Sequence, residues 1–263
     1  MPADHPEEIS GERVGRGLTS EETKARYVRG MFDAIAPRYD LANTLLSAGL
    51  HLGWKRHAAR LAAAPRGGCG LDVCCGTGDL TLLLARSVGS EGTVLGMDFS
   101  EPMLRIARRR AAASRRDRTC RFVAGDAEAL PLPDASVDAI TVGFGIRNVG
   151  RPAVALRELH RVLRPGGRLV VLEFSRPTGA AVRQLYAAYS LAVVPPVGRL
   201  IGGHRDAYRY LTASIGEWPD QRQFAEALRA VHFAEVRYHN LLGGIAAIHI
   251  AARRVAVAHD ESA

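Results

Sequence analysis

Tyr27, Met31, Phe32 and Ile35 recur at i, i+4, i+5 and i+8, an apolar stripe that predicts a helix ended by Pro37. Ser20 stands where an N-cap belongs, and Glu21 and Glu22 fall in the first turn, where the helix dipole favours anions. A second helical stretch runs from about Leu41 to Ala64. Short apolar runs then alternate with helical patterns. Gly70–Cys74, Thr93–Met97, Cys120–Ala124, Ala139–Val142 and Arg168–Glu173 read as strands. Leu80–Val88, Pro102–Ala113 and Ala153–Leu163 read as helices, the last closed by Pro165-Gly166-Gly167. Two late strands, Glu235–His239 and Ala246–Ala251, make a hairpin across 241–244. The alternation predicts an α/β fold, a doubly wound and mostly parallel sheet of seven strands with helices on both faces. The reading places a single domain over 21–254, with 21–66 as an N-terminal helical cap, a disordered tail at 1–20 and a frayed tail at 255–263. There is no internal repeat.

Composition narrows the class. Of 263 residues, 47% are apolar and 24% charged, which excludes a mostly disordered or fibrous chain. No apolar run reaches the roughly 18–20 residues of a membrane span, and the N-terminus lacks the basic-then-apolar pattern of a secretory signal. The expected place is therefore cytoplasmic, where thiols stay reduced. Cys69, Cys74, Cys75 and Cys120 form no Cys-x-x-Cys pair, so neither a zinc site nor a disulfide is expected, and the metal assignment is none. The net charge of +8 suits nucleic acid, an anionic membrane face or an acidic ligand. Its densest run, Arg105, Arg108, Arg109, Arg110, Arg115, Arg116 and Arg118, reads as a solvated helix face or as a phosphate or lipid-headgroup patch. The apolar, aromatic segment Val182–Gly203 is broken by Pro195-Pro196 and reads as core or as a lipid-facing surface.

The chemistry centres on LDVCCGTGDLT, Leu71 to Thr81, a strand entering a Gly-x-Gly turn and then a helix. Such a turn brings backbone N–H groups close to a ligand, and only glycine at Gly76 allows the approach without a Cβ clash. A dinucleotide fingerprint needs glycine where Thr81 stands, so a pyrophosphate is not favoured. Asp98 ends the next strand, placed either to accept both ribose hydroxyls or to cap the following helix. Asp126 follows the third strand, placed either to accept an adenine amine or to serve a turn. Three successive strand ends carrying these groups point to an adenosine without a pyrophosphate.

On these residues the chain resembles the class I S-adenosylmethionine-dependent methyltransferases. More closely, it is similar to the ubiquinone/menaquinone biosynthesis C-methyltransferases. The similarity rests on MFDAIAPRYDLANTLLSAGLHLGWKR (Met31 to Arg56), LDVCCGTGDLT, GDAEALPLPDASVDAITVGFGIRNV (Gly125 to Val149), LRELHRVLRPGGRLVVLEFSRP (Leu156 to Pro177), WPDQ (Trp218 to Gln221) and NLLGGIAAIHIA (Asn240 to Ala251). The resemblance implies a Rossmann-like fold with S-adenosyl-L-methionine as methyl donor, held by Gly76, Thr77, Asp98, Asp126 and Ala127. It implies methylation of a ring carbon of a polyprenylated quinol, demethylmenaquinol first and a benzoquinol as the alternative. Arg147 would lower the quinol's pKa and Asn148 would orient its second oxygen; the rival reading pairs Arg147 with a nearby carboxylate as structure. Tyr39 and Asp40 would close over the cofactor or serve packing, and His249 reads as structural. Two departures stand out: Gly143 replaces a serine usual in the family, and Cys74 replaces the first glycine of the general motif. The partners implied are the quinol, a peripheral contact with the inner face of the cell membrane and a homodimer, with no nucleic acid. An RNA methyltransferase is the different-class alternative, disfavoured because no Asn/Asp-Pro-Pro-Tyr motif follows the fourth strand. A specialised-metabolite methyltransferase and a non-enzymatic adenosyl-binding protein are the remaining alternatives.

Overall fold

Residues 21–193 and 205–255 are described in the computed structural model. The expected N-terminal tail, the Ser20 cap, the Pro195-Pro196 break and residues 256–263 lie outside them. In chain order the helices are α1 (Glu21–Ile35), α2 (Tyr39–Leu46), α3 (Leu50–Ala62), α4 (Asp79–Val88), α5 (Glu101–Ala113), α6 (Pro152–Val162), α7 (Ala180–Ala192), α8 (Arg205–Glu217) and α9 (Gln221–Ala230). The strands are β1 (Cys69–Val73), β2 (Thr93–Asp98), β3 (Cys120–Ala124), β4 (Val137–Gly143), β5 (Leu163–Phe174), β6 (Ala234–Leu241) and β7 (Ala246–Ala252).

These strands form one sheet in the order β3-β2-β1-β4-β5-β7-β6. The first five pair in parallel, and β7 runs antiparallel between β5 and β6. Side-chain alternation along each strand feeds two cores. On β5, Leu169 and Val171 join the core beneath α6 and α9, whereas Val170 and Leu172 join the core beneath α3 and α4. Leu71, Leu84, Ile140 and Leu159 are fully buried. Burying each such side chain contributes about 1.5–3 kcal/mol.

Three local features depart from the sequence expectation. The stretch expected as one helix over 41–64 is two, because Ala48 (φ 47°) and Gly49 (φ 77°) adopt left-handed backbone between α2 and α3. Consequently the expected cap divides: α1 and α2 lie at the sheet edge, while Ala58, Ala59 and Ala62 of α3 pack into a sheet core. Pro165-Gly166-Gly167 does not end a helix in a loop. Val137 pairs with Leu163 and Ala139 with Arg168, so β5 carries these residues as a bulge. Helices α7, α8 and α9 are additions to the expected set. The WPDQ segment explains the start of α9: Asp220 accepts from the Gln223 N–H at 2.9 Å, and the Gln223 side chain accepts from the Asp220 N–H at 3.0 Å.

Candidate active site

The registers Val73↔Met97, Val73↔Val142 and Asp98↔Ala124 bring the carboxyl ends of β1, β2, β3 and β4 to one edge. The turn after β1 is left-handed at Cys74 (φ 56°), Gly76 (φ 53°) and Gly78 (φ 86°). Gly78 is close-packed as well, since a Cβ there would lie 3.1 Å from the Ala107 Cβ on α5. The Gly76 N–H donates to Asp98 Oδ2 at 2.8 Å, and the Ser100 N–H donates to Oδ1 at 2.9 Å. The cap of α5 is therefore Ser100, whose Oγ accepts from the Met103 N–H, and not Asp98. Burial raises the Asp98 pKa, an effect only partly offset by its N–H bonds. The Phe99 N–H is a third donor to the carboxylate, which leaves it one acceptor site for a further donor.

A small cavity of about 30 Å³ lies over this turn, lined in part by Gly76, Asp98, Asn148, Phe144, Phe32 and Tyr39. Phe32 of α1 and Tyr39 of α2 close over the turn side of this cavity. Of the expected cofactor contacts, Gly76 and Asp98 line this cavity, whereas Thr77, Asp126 and Ala127 sit at the same sheet edge without lining it. The Thr77 hydroxyl instead donates to Asp40 Oδ1 at 2.7 Å, and Arg110 Nη1 donates to the Thr77 carbonyl and hydroxyl at 3.0 Å. Asp126 is exposed, and its Oδ1 accepts from the Glu128 N–H at 2.9 Å, the bond of a turn residue.

Asp40 thus ties α2 to the glycine turn. The tie extends through Arg110 to Asp79 Oδ1 and from Asp79 Oδ2 to Lys55 on α3 at 2.8 Å. Burial pushes the Asp79 pKa up, but Lys55 and Arg110 outweigh it and bring it to about 2. For Lys55, burial favours the neutral amine, yet Asp79 and its neighbours leave the pKa raised. The arginine run therefore has two characters: Arg105, Arg109, Arg115 and Arg118 are solvated, while Arg110 is part of the turn's scaffold. Burial pushes the Cys74 and Cys75 thiols well above their ordinary range, which keeps both as neutral packing groups. Asp72, behind the turn, takes the hydroxyls of Thr81 and Thr141 at 2.7 and 2.8 Å. Among the described residues no group of three or more His, Cys, Asp or Glu is placed to hold a metal ion.

A second, far larger cavity of about 470 Å³ adjoins the first, with Phe32, Tyr39, Phe144 and Asn148 lining both. Its walls come from α1, α2, α3, α7 and α8 and are overwhelmingly apolar. At the inner end lie Arg147 and Asn148, each 7% exposed. Arg147 Nη1 donates to Glu173 Oε1 at 2.6 Å and to the Phe144 carbonyl at 2.8 Å, and its guanidinium lies 5.2 Å from the Phe174 ring centroid. Burial raises the Glu173 pKa, against the pull of Arg147. The rival reading of Arg147 as one half of an ion pair is what the geometry shows. Even so, Arg147 Nε and Asn148 Oδ1 are buried without a partner. The segment from Val182 is not core: no residue of α7 is buried, and Val182, Leu185, Tyr186 and Tyr189 face the cavity. His249 keeps its structural role, donating from Nε2 to the Gln221 carbonyl at 2.8 Å, with burial lowering its pKa to about 4.

Residues 19–253 match the ubiE/COQ5 methyltransferase family. The chain belongs to that family. It is 47% identical over 229 residues to the ubiquinone/menaquinone biosynthesis C-methyltransferase UbiE of Azotobacter vinelandii, covering 87% of this chain and 90% of that one. It is 46% identical over 237 residues to the protein of the same name from Dinoroseobacter shibae, covering 89% and 94%. Among solved structures, an S-adenosylmethionine-dependent methyltransferase from Thermotoga maritima shares the fold with a TM-score of 0.60, at 20% identity and with 86% of this chain and all of that one covered. The enzyme is thus an S-adenosylmethionine-dependent C-methyltransferase with the Rossmann-like fold that the sequence predicts.

Several residues at or behind the larger cavity give little or no signal in the sequence. Glu173 was visible only as the end of a strand run, and nothing local links it to Arg147, 26 residues earlier. Tyr210, Leu211 and Ile215 of α8 reach the cavity from a stretch without a strand-helix signature. His51 was read as part of a long amphipathic helix. Its one sequence signal was a polar aromatic in an apolar segment.

The residues at the glycine turn fit the methyl donor. Gly76 offers backbone at positive φ, and a Cβ there would touch only the Tyr39 ring, Cε1 at 3.9 Å. Asp98 keeps one acceptor site beside it, and Asn148, whose Oδ1 is unpartnered, lines both cavities. A Cβ at Gly143, the position usually serine in the family, would meet Leu80 Cδ1 at 2.6 Å. Glycine there leaves room for the leucine and removes a hydroxyl from the site.

Proposed function

We propose that this enzyme methylates a ring carbon of a reduced, polyprenylated quinol, demethylmenaquinol in the first instance and a polyprenyl benzoquinol as the second choice. The observation that carries this is the apolar cavity of about 470 Å³ adjoining the small cavity over the glycine turn, with Asn148 lining both and Arg147 beside it. Both relatives described above carry quinone biosynthesis in their names. A bound S-adenosylmethionine supplies an electrophilic methyl group.

The chain's own residues account for the rest. Asp98 and the Gly76 turn orient the donor's ribose at the strand tips, with Asp126 and Ala127 at the next tip toward the adenine and Thr77 steadying the turn. Arg147 Nε–H and Asn148 Oδ1 are buried polar atoms that a quinol's oxygens complete, Nε–H donating to the ionised oxygen and Oδ1 accepting from the other hydroxyl. An unpartnered buried polar atom costs about 1–3 kcal/mol, so the cavity favours a ligand with oxygens at this end. The Arg147 charge is shared with Glu173, which makes the arginine a rigid donor in place of a free cation. Tyr39 and Phe32 exclude water from the reacting centre, where the charge-neutralising transfer benefits from a dry site.

The prenyl chain leaves through the cavity mouth. Leu45, Leu50, Leu185 and Leu242 line the cavity and remain 41%, 46%, 72% and 51% exposed. Among the described residues no helix is long and apolar enough to cross a membrane. This leucine rim suits docking on a bilayer from which the quinol is drawn, with exposed Arg56 and Arg183 on the flanking helices attracting anionic lipid. The testing assay incubates the enzyme with methyl-labelled S-adenosylmethionine and, separately, reduced demethylmenaquinone, a prenylated benzoquinol and RNA. Label is expected in the naphthoquinol fraction. Label in RNA and in neither quinol contradicts the proposal.

A further inference from the structure

Methylating a ring carbon first requires a proton to leave the adjacent hydroxyl, and neither Arg147 nor Asn148 can take it. A guanidinium donates only, and a carboxamide oxygen is not a base. Among the described residues lining the larger cavity there is no carboxylate. Its tyrosines, Tyr39, Tyr186, Tyr189 and Tyr210, all have phenol pKa values raised by burial, so they retain their protons. Glu173 is not a lining residue, and its oxygens already take Arg147 and the Phe174 N–H. One imidazole lines the cavity: His51 on α3, 5% exposed.

Its tautomer follows from hydrogen-bond arithmetic. The Ser47 hydroxyl lies 2.6 Å from the Asn43 carbonyl oxygen and 2.7 Å from His51 Nδ1. A carbonyl can only accept, so the single hydroxyl hydrogen of Ser47 goes to Asn43. Ser47 Oγ must then accept from His51, and Nδ1 carries the imidazole hydrogen. Nε2 is left with its lone pair. From this geometry we infer that His51 is the general base of the reaction, its Nε2 taking the proton of the quinol hydroxyl next to the carbon that is methylated. The inference rests on the quinol reading above.

The balance is complete without any further reactant. Nε2 takes the hydroxyl proton, leaving a phenolate whose electron density moves to the neighbouring ring carbon. That carbon forms a bond to the methyl group as the carbon–sulfur bond breaks, the electron pair staying on sulfur. After the transfer the ring C–H proton goes to water entering through the cavity mouth as aromaticity returns, and His51 gives its proton back to the ring oxygen. One proton is released per turnover.

The surroundings suit this cycle. The charged and titratable groups facing His51 are Lys55 on its own helix, Asp40 and Tyr39 on α2, Asp79 on α4 and Tyr189 on α7. Burial lowers the His51 pKa, and Lys55 one turn along lowers it further, against the smaller pull of Asp79 and Asp40. The ring is therefore neutral at pH 7 and returns a borrowed proton readily.

Three readouts on the full-length protein test the role. His51→Gln is expected to cut kcat on reduced demethylmenaquinone at pH 7 by about 10²–10⁴-fold. Its rate should then climb with pH toward the quinol's own ionisation, whereas the wild type levels off above the histidine pKa. S-adenosylmethionine affinity by calorimetry should stay within a few-fold, separating a catalytic loss from a folding or donor-binding one. A variant that turns over at nearly the wild-type rate, or keeps the wild-type pH profile, overturns the inference. If His51→Gln does not fold, long-range ¹H–¹⁵N spectra of the wild-type imidazole decide: Nδ1–H with bare Nε2 at pH 7 supports the role, and an Nε2–H tautomer or an imidazolium overturns it. A wild type that methylates no quinol sinks the acceptor reading and this inference with it. A wild type that does so while His51→Gln keeps pace sinks the inference alone.

Discussion

Arg147→Ala is expected to lose about 3–5 kcal/mol of folding stability together with its turnover, because it strands the Glu173 carboxylate at 1% exposure. The ion pair of 2.6 Å makes Arg147 a support of the fold as well as a donor in the site. The direction with pH is also set. Glu173 already has a pKa above its ordinary value, and removing Arg147 deletes the main influence that lowers it. In the variant the folded state holds a proton on Glu173 that the unfolded state releases, so stability falls as pH rises from the unfolded glutamate pKa through the folded one. Urea unfolding should find Arg147→Ala less stable at pH 8 than at pH 5.5. Arg147→Ala with Glu173→Gln should recover much of the stability and lose that slope, yet stay at least about 10²-fold down in turnover, since the Nε–H donor is gone. Equal stability of the wild type and Arg147→Ala would show that the pair is not a buried support of the site.

Gly145→Ala should be the most damaging single-methyl change at the glycine turn. A Cβ at Gly145 would sit 2.2 Å from the Cys74 Cβ and 3.0 Å from its Sγ. The conflict is one of space, because Gly145 has φ −119° and ψ −34°, which any residue can adopt. Cys74 cannot retreat easily: it already holds a left-handed φ of 56° between β1 and Gly76. The turn or the Phe144–Asn148 segment must shift, with an overpacking cost of about 1–3 kcal/mol. A shift near 1 Å at the reacting centre costs on the order of 10²-fold in rate. Cys74→Gly removes the opposing Cβ and suits the left-handed backbone, so the double variant should recover activity that Gly145→Ala loses. Steady-state kinetics on the two single variants and the double variant checks this. Absence of rescue would mean that the contact between Cys74 and Gly145 is not what excludes a side chain there.

That the glycine turn and Asp98 meet at one sheet edge was legible in the sequence because the signals are local. A strand ending in Gly-x-Gly, a carboxylate closing the next strand and a second carboxylate after β3 are each written within about ten residues. The larger cavity was not, because it is assembled from α1, α2, α3, α7 and α8, whose facing residues are as far apart as Met31 and Ile215. Arg147 and Asn148 were read correctly as lying beyond the fourth strand, but the partner that neutralises Arg147 comes from the neighbouring strand and depends on the β4–β5 register. The break between α2 and α3 is not visible in the apolar pattern over 41–64; the positive φ of Ala48 and Gly49 turns the chain there and sets Ser47 beside His51. Trp218–Gln221, specific enough to mark the resemblance, is structural: Asp220 caps α9, and Gln221 donates to the carbonyls of Arg176 and Gly244.

Calorimetric titration of S-adenosylmethionine into the wild type and Asp98→Asn bears most directly on the claim that the tips of β1 and β2 grip the methyl donor. The wild type should bind one donor per chain, and Asp98→Asn should bind it about 10–100-fold more weakly, the usual worth of a hydrogen bond to a charged group. No binding heat from the wild type, or equal affinity in the two proteins, would contradict it.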